Sequence, residues 1–193
     1  VDASWLDTHP GLRILGSPTT GVEHVDLEEC ARRGVKFVSL QGERKFLNRI
    51  TSTAEHSWGL ILSLMRNYPG AFSGKGFRPI GYKLAGKTIG SIGHKGRIGR
   101  MVARYAKAFG MSIIGFDQQS FCNCEHQLEK LLKESDIVTV HIPLTGNEGF
   151  LDYSHFALMK PTSFFINTSR SGIVKKGHLW QALKDAKIIG AAQ

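Results

Sequence analysis

Residues 88–99, TIGSIGHKGRIG, lead from a short apolar run into three glycines and on into an amphipathic helix. A second apolar run follows and ends at Asp117. A βαβ unit that binds a dinucleotide is written in this order. A pyrophosphate is held by backbone N–H groups at a helix N-terminus, where the macrodipole favours negative charge. Glycine is needed where backbone meets phosphate and where helix meets strand. The reading therefore gives Gly93 the close of the strand, Gly96 the approach to phosphate and Gly99 the contact between helix and sheet. Ile98, Val102, Tyr105 and Phe109 form the buried stripe of the helix. The common spacing is G-x-G-x-x-G; here Gly93, Gly96 and Gly99 read G-x-x-G-x-x-G, one residue longer. The extra residue, at His94-Lys95, is expected to bulge outward, because G-R-I-G keeps its spacing into the helix.

Asp117 stands 18 residues after Gly99, at a strand end where a carboxylate can accept both ribose hydroxyls of an adenosine half. Gln118, Gln119 and Ser120 include no cation to hold a 2′-phosphate. The expected cofactor is NAD, in preference to NADP.

Outward from this turn, strands and helices alternate. Strands are expected at Thr88–Ile92, Ser112–Phe116, Ile137–Ile142, Ser163–Asn167 and Ile188–Ala192. Helices are expected at Arg97–Phe109, Glu125–Lys133, near Tyr153–Leu158 and at Lys176–Ala186. Continuous apolar strands such as IVTVHI mean a parallel sheet covered on both faces. The fold class is α/β, a Rossmann-type doubly wound parallel sheet. Residues 67–86, rich in Gly and Pro, read as a connector without secondary structure. Before it lie a strand at Arg13–Gly16, a helix at Leu27–Arg33, a strand at Val35–Leu40 and a long helix at about Thr53–Arg66. In that last helix Ala54, Trp58, Ile61, Leu62 and Met65 recur at core spacing. The expected domains are 1–84, with the linker, and 85–193.

Two further segments carry chemistry. INTSRSGIV, residues 166–174, puts Arg170 beyond the carboxyl end of a strand, where ligands bind in doubly wound sheets. An arginine there can grip a carboxylate or polarise a carbonyl; the plainer alternative is a surface arginine in a turn. In VHIPLTGN, residues 140–147, His141 is read as a hydrogen-bonded structural histidine, and Pro143 ends the strand.

The composition excludes several classes. A chain of 193 residues with 41% hydrophobic and 21% charged residues is that of an ordinary globular protein. No stretch approaches the roughly 18 uninterrupted apolar residues of a membrane span. Three cysteines form no disulfide framework and suit a reducing cytoplasm. Cys122 and Cys124 with His126 lack further ligands at metal-binding spacing, so no metal is expected. The net charge of +9 is read as spread along the chain, densest at Lys95, Arg97, Arg100, Arg104 and Lys107. No nucleic-acid motif accompanies it, and anionic small molecules are the expected partners.

Together these segments resemble the D-isomer-specific 2-hydroxyacid dehydrogenases. The likeness runs through SPTTGVEHVDLEECARRGVKF, TAEHSWGLILSLMRN, LAGKTIGSIGHKGRIGRMVARYAKAFGM, VHIPLT, LMKPTSFFINTSRSGIV and IIGAA. It implies a flavodoxin-like substrate domain beside the NAD domain, and oxidation of the CH–OH group of a D-2-hydroxy acid by hydride transfer. By position, Thr19, Thr20 and Gly21 would meet the substrate carboxylate, with Thr20 also at the nicotinamide. Arg97 and Ile98 would lie against the pyrophosphate and Asp117 on the adenosine ribose. Ile142 and Pro143 would line the adenine side, and Thr168, Ser169 and Arg170 the nicotinamide side. Arg170 would be the catalytic arginine that orients a small anionic 2-keto acid.

The departures are as specific. The PLTGNEGF loop is one residue shorter than the family pattern. Ser171 replaces a common glycine, and Lys175 a common acid. None of the eight histidines occupies the position of the family's acid/base histidine, and the glutamate beside it is likewise not found. The chain is expected to be a piece lacking both ends of a homodimeric, cytoplasmic parent, and to be inactive alone. A second reading is a non-catalytic NAD-binding module, since the resemblance includes corepressors that bind NAD and dimerise.

Overall fold

Two short parallel strands joined through a helix make the first of two compact units, Val1–Ile50. The structure is a computed structural model that describes residues 1–73, 80–118 and 124–193, apart from the side chain of Cys124. The first unit holds α1 (Ala3–Asp7), β1 (Ile14–Ser17), α2 (Leu27–Arg32), β2 (Lys36–Ser39) and α3 (Arg44–Leu47). Asp26 caps α2 by accepting from the Glu29 N–H at 2.9 Å. Leu6, Val25, Cys30 and Val35 form its small core. Arg32 and Arg33 both donate to Glu29, which holds that carboxyl down at about 2.

The second unit, Thr51–Gln193, begins with α4 (Ser52–Met65) and α5 (Tyr68–Ala71). Then come β3 (Thr88–Ile92), α6 (Arg97–Ala108), β4 (Ser112–Phe116), α7 (Cys124–Glu134) and β5 (Ile137–Val140). The unit ends with α8 (Tyr153–Leu158), β6 (Phe164–Asn167), a 3₁₀ turn at Ser171–Ile173, α9 (His178–Lys184) and β7 (Gly190–Ala192). All five strands are parallel, in the order β4-β3-β5-β6-β7. The chain leaves β3 towards β4 and returns on the other side of β3 to β5. That reversal is the switch point of a doubly wound sheet, and its crevice lies beyond the carboxyl ends of β3 and β5.

Both faces of the sheet are covered, as the uninterrupted apolar strands require. One core joins Ile89, Ile137 and Ile166 to Trp58, Ile61 and Met65 of α4 and Val102 and Ala106 of α6. The other joins Ile92, Val138 and Phe165 to Leu128, Leu131 and Leu132 of α7 and Phe156 of α8. At the amino ends of the strands, Asp136 accepts from the Thr88 N–H at 2.8 Å and from Lys160 Nζ at 3.1 Å. Burial pushes this carboxyl up, but the two donors outweigh it and hold the group below the usual carboxylate range.

The compact units divide at Ile50/Thr51, and α4 packs on α6, β6 and β7. Two expectations need correction. The connector carries a helical turn, α5, capped by Asn67, whose side chain accepts from the Gly70 N–H. Phe109 is 42% exposed, its ring tilted against that of Trp58; the buried residues of α6 are Gly99, Val102, Ala103 and Ala106, with Ile98 and Tyr105 half-buried.

Candidate functional site

The glycine turn sits at the switch point. Gly93 ends β3 with φ +84° and donates its N–H to the Phe116 carbonyl at 2.8 Å. A Cβ at Gly93 would stand 2.6 Å from the His141 carbonyl oxygen, so the turn presses on the end of β5. The Gly96 N–H closes the turn onto the Gly93 carbonyl at 3.1 Å, and Gly96 is the N-cap of α6. No side chain caps α6 and its first turn carries no acid, which suits an anion at this end. A Cβ at Gly99 would come within 2.3 Å of the Gly93 carbonyl oxygen and 2.9 Å of His94, so the helix presses on the turn at the end of β3.

The extra residue is absorbed ahead of the helix. His94 turns its ring over Gly115 of the edge strand β4, where a Cβ would lie 2.5 Å from the ring. Lys95 is exposed, and its N–H donates to both carboxylate oxygens of Asp117, at 3.0 and 3.1 Å. A carboxylate offers about four acceptor sites, so this clamp leaves room for ribose hydroxyls.

A cleft of about 530 Å³ brings together Gly93, Lys95, Gly96, Asp117, His141, Ile142 and Pro143. His141 is half-buried, its Nε2 lies 3.0 Å from Thr139 Oγ1, and desolvation pushes its pKa down to about 4. It lines the cleft as a neutral imidazole. A glycine cradle, an uncapped helix start and a carboxylate at the neighbouring strand end fit a dinucleotide. Of the residues weighed for cofactor choice, Gln118 lines the cleft, while Gln119 and Ser120 lie outside the described residues.

A second cleft of about 550 Å³ opens at the carboxyl end of β6, lined by Ser52, Thr53, His56, Thr168, Ser169 and Ser171 among others. Asn167 shapes the turn above it. Its Oδ1 accepts from the Ser169 N–H at 3.0 Å and its Nδ2 donates to the Arg170 carbonyl at 2.9 Å. Ser169 Oγ reaches the Val140 carbonyl at 3.0 Å, tying the ends of β6 and β5. Buried Ser57 on α4 lies 2.6 Å from Thr168 Oγ1 and donates to the Thr53 carbonyl or to Thr168. Arg170 is exposed just beyond this turn, with Nη1 3.3 Å from the Ser169 carbonyl.

The structure thus gathers Gly93, Gly96, Asp117, Ile142 and Pro143 in one cleft and Thr168 and Ser169 in another. Arg97 and Ile98 open α6 behind Gly96. Thr19, Thr20 and Gly21 belong to the first unit, where Thr19 Oγ1 donates to the Gly21 carbonyl at 2.7 Å. Sequence reasoning missed the polar face of α4. Ser52, Thr53, His56 and Ser57 recur at helical spacing, a signal hidden beneath the apolar positions that were read as core. Cys122 and the Cys124 side chain lie outside the described residues. Among the described residues, no three His, Cys, Asp or Glu are grouped to hold a metal, and no helix is long and apolar enough to cross a membrane.

The chain is similar to known proteins in sequence and in fold. Residues 55–193 match the family described as D-isomer specific 2-hydroxyacid dehydrogenase, NAD binding domain. The chain is 34% identical to a glyoxylate reductase of Thermococcus litoralis, the alignment covering 99% of this chain and 62% of that protein. It is 33% identical to a D-3-phosphoglycerate dehydrogenase of Methanocaldococcus jannaschii, over 94% of this chain and 36% of that one. The chain therefore spans less than two thirds of the length of either relative. Among solved structures it is similar to the D-lactate dehydrogenase of Aquifex aeolicus complexed with NAD and lactic acid. There the TM-score is 0.75 at 28% identity, over 99% of this chain and 60% of that one. With the glycine turn, the acid at the end of β4 and the paired clefts in place, the chain belongs to the D-isomer-specific 2-hydroxyacid dehydrogenases, and residues 55–193 are matched as their NAD-binding domain.

Proposed function

We propose that the protein carrying this chain interconverts a D-2-hydroxy acid and its 2-keto acid with NAD, in preference to NADP. The observation that carries this reading is the pair of clefts at the carboxyl ends of the sheet, one holding Asp117 and the glycine turn, the other overlooked by the NTSR turn. The bound cofactor supplies a hydride to C2 of the keto acid, or removes one from the hydroxy acid. Gly93, Gly96, Arg97 and Ile98 present backbone to the pyrophosphate, and Gly99 lets the helix start where it does. Asp117 accepts from the adenosine ribose, and Ile142 and Pro143 flank the adenine. Thr168 and Ser169, pinned by Ser57 and by the Val140 carbonyl, face the nicotinamide side. Arg170 grips the substrate carboxylate and polarises the carbonyl through its fork of donors. Glyoxylate and 3-phosphoglycerate, which name two of the relatives, are acids of this class.

A proton must reach the carbonyl oxygen as the hydride reaches carbon, and a histidine tuned towards neutrality suits that role. None of the eight histidines stands at the position of the family's acid/base histidine. On this reading the isolated 193-residue chain is a binder of NADH with little turnover. Homodimerisation and a cytoplasmic site of action complete the proposal. Titration of the chain with NADH and NADPH, followed by NADH oxidation with glyoxylate or hydroxypyruvate, tests it. Tight NADH binding with turnover below about 0.1 per second is expected. Equal affinity for both cofactors overturns the cofactor preference, and rapid turnover overturns the inactivity.

A further inference from the structure

The excess of basic charge is more localised than a pass along the chain suggests. From His56 to Phe116 there is no Asp or Glu, while the same stretch carries ten Lys and Arg. Three of these, Arg100, Arg104 and Lys107, are exposed on α6 at the i, i+4, i+7 spacing that aligns side chains along one face. None of the three makes an ion pair or side-chain hydrogen bond among the described residues. Like charges at this spacing destabilise a helix, so the stripe carries a cost that no neighbouring carboxylate offsets.

The stripe borders a groove of about 510 Å³ between α6 and the edge strand β4. Among the described residues, Ala103 and Ile113 supply its apolar lining, and His94, Arg100, Arg104 and Lys107 its ionisable groups. His94 is pinned over Gly115, and its Nδ1 is buried with no hydrogen-bond partner. Among the described residues, the groove shares no lining residue with the cleft that holds Asp117. Its volume is that of a small-molecule site.

We propose that this groove binds a small oligophosphate, a molecule carrying two or more phosphate groups in a row, at a site separate from the cofactor cleft. From Arg100 to Lys107 the helix advances roughly 10 Å, which matches a run of phosphates better than a single carboxylate. Arg100 and Arg104 supply paired donors for phosphate oxygens, and Lys107 a point charge at the far end. The apolar lining accommodates a base or other flat group attached to the phosphates.

Inorganic tripolyphosphate is the probe, titrated calorimetrically into the 193-residue chain at constant ionic strength, with and without saturating NADH. Saturable binding of one equivalent per chain is expected, unchanged by NADH. Arg104→Gln and Lys107→Gln should each weaken it roughly tenfold or more, while NADH affinity stays the same. Their melting temperatures should be equal or higher, because like charges are removed. Arg100→Gln provides a third variant should either of these fail to fold. Heat that never saturates, loss of binding when NADH is present, or variants that bind as well as the parent would each overturn the proposal. So would a short DNA duplex that binds more tightly than tripolyphosphate with a steep salt dependence, which marks a nucleic-acid surface. If NADH fails to bind while tripolyphosphate does, the cofactor reading falls and the groove stands.

Discussion

The Lys95 N–H donates to both carboxylate oxygens of Asp117, 22 residues further along the chain. The residue that lengthens the glycine turn is thus held by the acid proposed to face the ribose. Asp117 fixes the turn against β4, and the proposed function gives it a second task, to accept from cofactor hydroxyls. Asp117→Ala should therefore raise the NADH dissociation constant roughly 10–100-fold, the value of a hydrogen bond to a charged group. NADPH binding should suffer less, because removing the carboxylate also removes repulsion towards a 2′-phosphate. Fluorescence titration with both cofactors reads this, and equal losses for the two would refute the ribose assignment.

Removal of Lys95 shortens the turn to the common spacing. The α6 start at Gly96 and its contact with Gly93 do not depend on Lys95, so NADH affinity should change only a few-fold. A large gain in affinity would show that the extra residue obstructs the site.

Gly99→Ala should be far more damaging than its size suggests. The new Cβ would meet the Gly93 carbonyl oxygen at 2.3 Å, and the atoms around it are backbone that cannot swing away. Overpacking of this kind costs about 1–3 kcal/mol. A urea midpoint shifted downward, together with weaker NADH binding, is the expected result. An unchanged midpoint would mean that α6 slides freely on the turn.

His141 predicts a pH dependence. Burial depresses its folded-state pKa to about 4 from an ordinary value of 6.5. As pH falls below that ordinary value, the unfolded chain takes up the proton first, so stability declines between about pH 6.5 and pH 4. The full loss is roughly 3 kcal/mol. The depressed carboxyls of Glu29 and Asp152 act in a lower window, because their ordinary values are already acidic. Chemical denaturation at a series of pH values should show the slope in the parent and a flatter profile in His141→Gln. Identical profiles would mean that His141 is not the group responsible.

Periodicity made the sheet legible. Thr88–Ile92 and Ser112–Phe116 lie where the apolar runs put them; β3 is buried nearly throughout, as a strand covered on both faces must be, while β4 at the edge is only partly buried. The switch point followed from the same alternation, and with it the cleft at Gly93 and Asp117. Short helical turns were less legible. Tyr68–Ala71 is held by the single Asn67 cap, and Gly70 and Pro69 within it read locally as a turn. The need for close approach at Gly99 was legible, but not its partner, a carbonyl six residues earlier that the turn brings back. His56 and Ser57 went unread for a different reason. Their importance depends on α4 crossing the end of β6, a tertiary fact with no local mark.

The wedge of Gly99 against Gly93 also sets a rule of phase for the whole unit. A residue added before Gly96 loops into solvent and leaves the helix in register. A residue added between Gly96 and Gly99 would rotate everything after it by about 100°. Val102 and Ala106 would then swing out of the core, and the cationic stripe would turn towards the sheet. The chain has one hinge of length and one lock of rotation, three residues apart, and only the first can absorb an insertion without remaking the fold.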